Sequence, residues 1–148
     1  MNFQIYTLGF SKKSLRQFVD FLQEGNINRL IDTRLNNTSQ LSGFSKKGDL
    51  EYIMELVNID YRHDVSLAPT EEILTSYKKK AITWGEYEKH YIELLYKRKI
   101  ETRIPEILED KRVCFLCSED KPHHCHRRLL AEYIQNHIDK KVDIVHLF

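Results

Sequence analysis

The chain is short of several things at once, and each shortage excludes something. It has three cysteines, an odd count that argues against a framework of disulfides and fits a reducing cytoplasm. With five glycines and three prolines, no repeat, low-complexity stretch or linker interrupts it. Charge of one sign is missing too: 23 Lys plus Arg stand against 22 Asp plus Glu, a net +1. That balance gives no overall drive toward nucleic acid or a membrane surface, so such affinity must come from a local patch. No apolar run approaches the roughly 20 residues of a membrane span. The opening MNFQIYTLGF lacks a basic region, a long apolar stretch and a small-residue cleavage site. It therefore argues against a secretory signal. The expectation is a cytoplasmic protein with no membrane partner.

What is present is a globular composition, 41% hydrophobic and 11% aromatic over 148 residues, enough for one domain (1–148) with a real core. Strand-like and helix-like segments alternate. FQIYTL (3–8) predicts a first strand. A helix over 14–24 follows, with Ser14 and Gln17 as its capping box. RLIDTR (29–34) predicts a second strand. LNNTSQLSGFSKKGD after it is long for a loop, and such loops are functional or disordered. Leu50 to Val57 predicts a helix capped by Asp49, and IDYRHDV a third strand around Tyr61. Thr70 to Lys79 predicts a weaker helix with acidic residues first and lysines last. Thr83 and Glu86 form a second capping box ahead of the stripe Trp84, Tyr87, Tyr91, Leu94 and Leu95. Pro105 opens a short helix near Ile107. VCFLC (113–117) has the continuous apolar character of a strand buried on both faces. Pro122 suits the first turn of a last helix carrying Leu129, Leu130, Tyr133, Ile134 and Ile138, and VDIVHLF closes with a strand.

This alternation predicts an α/β fold: a single domain with a mostly parallel sheet of about five strands and helices on both faces. Ligands bind such sheets beyond the carboxyl ends of the strands. Thr7 and Gly9, Asp32 and Arg34, His63 and Asp64, and Cys117 and Glu119 all fall at that end. The densest piece is LCSEDKPHHCHRR (116–128), where thiols, imidazoles and charges crowd together.

Three chemistries compete for it. Zinc would use Cys114, Cys117, Cys125 and His126, but residues three apart on a strand face opposite ways, so Cys114 reads as a small buried hydrophobe. A nucleophilic or redox thiol would be Cys125, near a helix start with Lys121, Arg127 and Arg128, or Cys117 at the strand tip within reach. His124 or His126 would then be the base. The bland alternative packs Cys125 under the sheet edge. An anion seat would use Lys121, His126, Arg127 and Arg128, with Arg34 as a fork from the side. Its bland competitor is a structural network of these arginines with Asp32 and Glu119. The lysine runs 78–80 and 97–99 (the second including Arg98) read as solvated helix ends. Tyr87 and Tyr91 read as core, and His146 as a satisfied core histidine.

Several pieces taken together resemble a known family: TLGFSKKSLRQF, IDTR followed by Ser39, Gly43 and Phe44, then IDYRH, and above all LCSEDKPHHCHRRLLAEYI. In these the chain resembles the domain-of-unknown-function family 488, small bacterial and archaeal proteins with an α/β fold, over nearly its whole length. The resemblance implies a polar signature at Asp32, Arg34, Ser39, Cys117, Glu119, Cys125, His126 and Arg127. Where the family tends to have a Leu-Gly turn, this chain reads Leu67, Ala68, Pro69. The resemblance carries no activity, because the family is named for lacking an established one.

The leading expectation is a pocket for a small anionic ligand, phosphate- or nucleotide-like, acting as an enzyme if a thiol is reactive. Arg34, Ser39, Arg127, Arg128, Gly9 and Ser11 would bind it. Cys125, Cys117, Glu119, Asp32 and His126 would supply chemistry. A nucleic-acid-binding module using the same arginines with Lys46 and Lys47 is the second reading, and a zinc protein the third. The sequence names no cofactor and no oligomeric state.

Overall fold

Strands of alternating or continuous apolar residues and helices of period 3.6 follow one another through the computed structural model, which describes residues 3–36, 44, 46–119 and 122–148. The strands are β1 (Phe3–Gly9), β2 (Arg29–Asp32), β3 (Asp60–His63), β4 (Val113–Cys117) and β5 (Val142–Leu147). The α-helices are α1 (Leu15–Glu24), α2 (Lys47–Leu56), α3 (Glu71–Lys78), α4 (Trp84–Lys97), α5 (Ile104–Leu108) and α6 (His126–Asn136). The strands form one sheet in the order β3-β2-β4-β1-β5. Every pairing is parallel, so the expected α/β architecture holds and the sheet is more uniform than anticipated.

Strand alternation divides the core. Ile5, Ile31, Val113 and Phe115 face one layer, with Tyr91 and Leu95 of α4, Ile104 and Ile107 of α5, and Leu129, Leu130 and Ile134 of α6. Tyr6, Leu8, Leu30, Cys114 and Leu116 face the other, against Phe18 and Leu22 of α1 and Leu50 and Met54 of α2. β4 lies between β2 and β1 and is buried throughout, which accounts for its unbroken apolar run. No helix among the described residues is long and apolar enough to cross a membrane.

Both capping boxes form as expected, Ser14 with Gln17 and Thr83 with Glu86. Two helix starts differ. α2 begins at Lys47, and Asp49 sits in its first turn instead of capping it. The apolar stripe from Leu50 marks only the buried face, and an exposed polar turn precedes it. α6 begins at His126 with Cys125 as N-cap, four residues after Pro122. β2 ends at Asp32, so Thr33 and Arg34 lie just beyond the strand. Arg98 is no solvated helix end: its guanidinium donates to the carbonyls of Ser66 and Ala68 at 2.6 and 2.7 Å, tying down the segment before Pro69. Most of the long loop after Asn36, with Ser39 and Gly43, lies outside the described residues; Phe44 packs on Phe18 at 5.4 Å.

Candidate functional site

The polar residues meet because of how the strands are connected. The chain leaves β1 and β2 toward α1 and α2 on one face, and leaves β4, which lies between them, toward α6 on the other. The diverging loops open a crevice over the tip of β4. A cavity of about 220 Å³ lies there. Arg34, Leu35 and Asn36 line it after β2, and Cys117, Ser118 and Glu119 after β4. His124, Cys125 and His126 line it at the start of α6, and Pro69, Leu74, Tyr77 and Tyr87 on the remaining side.

Around Gly9 and Ser11, expected as ligand contacts, the chain holds the loop that follows β4. The N–H groups of Phe10 and Ser11 donate to the carbonyls of Cys117 and Ser118 at 3.3 and 3.2 Å, and the Ser11 hydroxyl also donates to Ser118. A Cβ at position 9 would collide with the Glu119 carbonyl and the Arg127 guanidinium, so this close approach requires glycine.

Asp32 is fully buried and holds Arg34 in a fork. Arg34 Nε and Nη2 donate to the two carboxylate oxygens at 2.8 and 2.7 Å, the Arg34 amide donates at 3.1 Å, and the Tyr61 hydroxyl at 2.7 Å. Burial opposes charge on Asp32, but the arginine and hydroxyl outweigh it and keep the carboxyl below its ordinary range. The Arg34 guanidinium also lies over the Phe10 ring, 4.9 Å from its centre. His63 Nε2 meets the Arg34 carbonyl at 2.7 Å, fixing the backbone as well. Asp64 is engaged elsewhere, with Arg103 and Ser66.

His126 Nε2 lies 2.9 Å from both the carbonyl and the hydroxyl oxygen of Thr33. A carbonyl only accepts, so this nitrogen carries the proton. The Thr33 hydroxyl in turn donates to the Leu116 carbonyl at 2.8 Å. Burial, aided by the nearby Arg127 charge, pushes the His126 pKa down to about 4, so the ring is neutral at ordinary pH. It pins α6 to the tip of β2.

Arg127 is fully buried. Its Nη1 donates to the Glu119 carbonyl and lies 3.3 Å from the Cys117 sulfur. The sulfurs of Cys117 and Cys125 are in direct contact as a disulfide pair, their Cα atoms 7.6 Å apart. The three cysteines thus divide into one local pair and a lone Cys114, which is no disulfide framework. Cys114 is free and buried on the opposite face with Leu116, where burial pushes its thiol pKa up. The four-ligand zinc set is thus not assembled. Among the described residues no group of three or more His, Cys, Asp or Glu side chains is placed to hold a metal ion.

Arg128 does not line the cavity. Arg128 is ion-paired with Glu132 at 2.9 Å and Glu88 at 3.4 Å, which answers its unfavourable place at a helix start. Ser39 and Lys121 lie outside the described residues, as does Asp120 of the expected capping turn. His146, read as a satisfied core histidine, lies half-buried with Nδ1 2.6 Å from the Thr7 hydroxyl. Sequence reasoning missed Thr33, Asn36, Tyr77 and the cavity-facing role of Tyr87. Thr33 stood inside the quoted IDTR. The tyrosines carried no local signal, because their meeting depends on how α3 and α4 pack.

No curated protein and no solved structure matches the chain. A family model does match, over residues 14–134, which runs from α1 into α6 and leaves β1 and β5 outside. The chain belongs to the family described as Domain of unknown function DUF488.

Proposed function

We propose that the cavity over β4 binds a small anionic ligand and holds it beside an activated thiol. One observation carries this reading: the Arg127 guanidinium lies 3.3 Å from the Cys117 sulfur, in a crevice whose cavity both Cys117 and Arg34 line. A buried guanidinium beside a sulfur favours the thiolate over the thiol. Arg34, its plane set by Asp32, offers a preorganised positive group to the same space. In the reduced pair Cys117 is the nucleophile or redox thiol, with Cys125 able to close on it. Asp32 and His126 become positioning residues: the first is held ionised by its partners, and the second is neutral with Nε2 committed to Thr33. Glu119 stays a candidate for proton transfer at the cavity wall.

The test has two arms. After reduction, alkylation by a thiol-selective reagent is followed against pH. Cys117 is expected to react with a midpoint below the roughly 8.5 of a free cysteine, and Arg127→Met to raise it. Reactivity like that of free cysteine in the unaltered protein removes the thiol from the reading. In parallel, calorimetric titration with phosphate and sulfate is expected to show binding that Arg34→Ala weakens about tenfold or more, the scale of a charge-assisted contact. Failure of both anions to bind the unaltered protein would sink the anion half.

A further inference from the structure

An anion and a thiol account for part of the cavity and leave its remaining wall without a task. That wall is largely apolar, with aromatic rings set beside Pro69 and Leu74. Tyr77 of α3, Tyr87 of α4 and His124 from the turn before α6 all line it. The rings form a continuous cluster around Trp84. His124 stacks on Trp84 at 4.9 Å and 26°, and Trp84 on Tyr87 at 4.7 Å and 20°. Tyr77 packs 5.2 Å from Tyr87 and 5.6 Å from Trp84. Tyr91, one turn further along α4, is fully buried, but Tyr77 and Trp84 are half-buried and His124 is exposed. The cluster thus reaches out of the core to the cavity.

A bare phosphate gains nothing from such a wall, and flanking ring faces raise the cost of stripping its water. The combination suits a ligand in two parts, with a flat ring against the aromatic wall and a negative group toward Arg34. Asn36 lines the same cavity, and its amide both donates and accepts, which matches the polar edge of a heterocycle. Size narrows the class. About 220 Å³ falls below the range typical of drug-sized sites, roughly 300–1,000 Å³, which favours a one-ring base over a two-ring base and excludes an extended oligomer.

From these features we infer that the ligand class of this cavity is a pyrimidine mononucleotide, its base stacked on the Tyr77–Tyr87–His124 wall and its phosphate at Arg34. This rests on the anion reading above and deepens it.

The chain has one tryptophan, and Trp84 is stacked on two of the rings in question, so its fluorescence is a direct readout. The full chain, reduced with a dithiol, is titrated with uridine 5′-monophosphate, uridine, ribose 5-phosphate and inorganic phosphate. Uridine 5′-monophosphate is expected to change the Trp84 emission and to bind at least tenfold more tightly than ribose 5-phosphate. Tyr77→Ala is expected to weaken the nucleotide about tenfold, the scale of stacking one base on one aromatic side chain. It should leave ribose 5-phosphate affinity, read by calorimetry, unchanged, and Tyr77→Phe should keep both. If Tyr77→Ala does not fold, the exposed His124→Ala serves the same comparison. Equal affinities for the nucleotide and ribose 5-phosphate overturn this inference and spare the anion reading. Uridine binding as tightly as its monophosphate overturns both, as does the absence of binding by every probe.

Discussion

His126 reaches two oxygens of Thr33 with one nitrogen. Its Nε2–H reaches the carbonyl and hydroxyl oxygens of Thr33, and its burial keeps the imidazole neutral. The native pKa, pushed down to about 4, lies below the roughly 6.5 of an unfolded histidine. Between those values the unfolded chain takes up a proton that the native state refuses. Stability is therefore complete above about pH 6.5 and is lost as pH falls toward 4, by about 3 kcal/mol at the full extent of the shift. Urea unfolding across that window should show the loss. His126→Gln keeps a donor but cannot titrate, so its pH slope should be shallower; equal slopes would clear His126 of responsibility. Asp32 has the opposite sign of charge and a lower window. Its depressed pKa contributes stability that persists above its ordinary 3.8 and is lost only in stronger acid. Gly9 belongs to the same scale for a steric reason, since no side chain fits between β1 and the Glu119 carbonyl.

At the scale of elements, helix ends divide into those set by local chemistry and those set by distant contacts. The boxes of α1 and α4 are local: Ser14 and Gln17, or Thr83 and Glu86, satisfy each other's backbone groups within four residues. That is why both were legible in the sequence. Thr83→Ala removes the side-chain acceptor for the Glu86 amide and should cost about 1 kcal/mol. Because α4 carries Tyr87, Tyr91 and Leu95 into the core, the loss should appear as a lower urea midpoint for the whole molecule with an unchanged slope. A separate early transition would mean that α4 unfolds by itself. The start of α6 is the contrary case. Pro122 is a good first-turn residue by local preference, yet the helix waits until His126. There Cys125 meets Cys117, a neighbour the sequence already placed within reach, and His126 meets Thr33, a contact 93 residues away that no local pattern announces. α2 shows a milder version, since periodicity reports a buried face and says little about an exposed first turn.

For the whole molecule, the two ends of the sheet do different work. The amino end is closed by Arg29, buried at the start of β2. Its Nε donates to Asp60 at 2.9 Å and its Nη1 to the Ile107 carbonyl at 3.0 Å, joining β2 to β3 and to α5. Arg29→Met leaves the buried Ile107 carbonyl without this donor and Asp60 with Arg62 alone, and should cost about 2 kcal/mol or more. It lies at the other end of the sheet from the cavity, so phosphate affinity measured on the folded variant should match the unaltered protein. A parallel loss of affinity would mean that the two ends are coupled. The carboxyl end carries Arg34, the thiol pair and the aromatic wall, and substitutions there should act on ligand and thiol more than on folding.

The sequence by itself determined the alternation of strands and helices, both capping boxes, the buried character of β4, and the end of the sheet where polar residues gather. It also separated Cys114 from Cys117, because successive strand residues face opposite sides. These are properties of short stretches, where backbone geometry, hydrophobic period and caps act within a few residues. Only the tertiary structure decided who meets whom over the tip of β4. It gave Asp32 to Arg34 and Tyr61, Arg127 to Cys117 and the Glu119 carbonyl, and Arg128 to glutamates away from the cavity. It also brought Tyr77, Trp84, Tyr87 and His124 together from α3, α4 and the turn before α6. The physical reason is that a side chain's partner is chosen by packing between elements far apart in sequence, and burial then decides which charges survive.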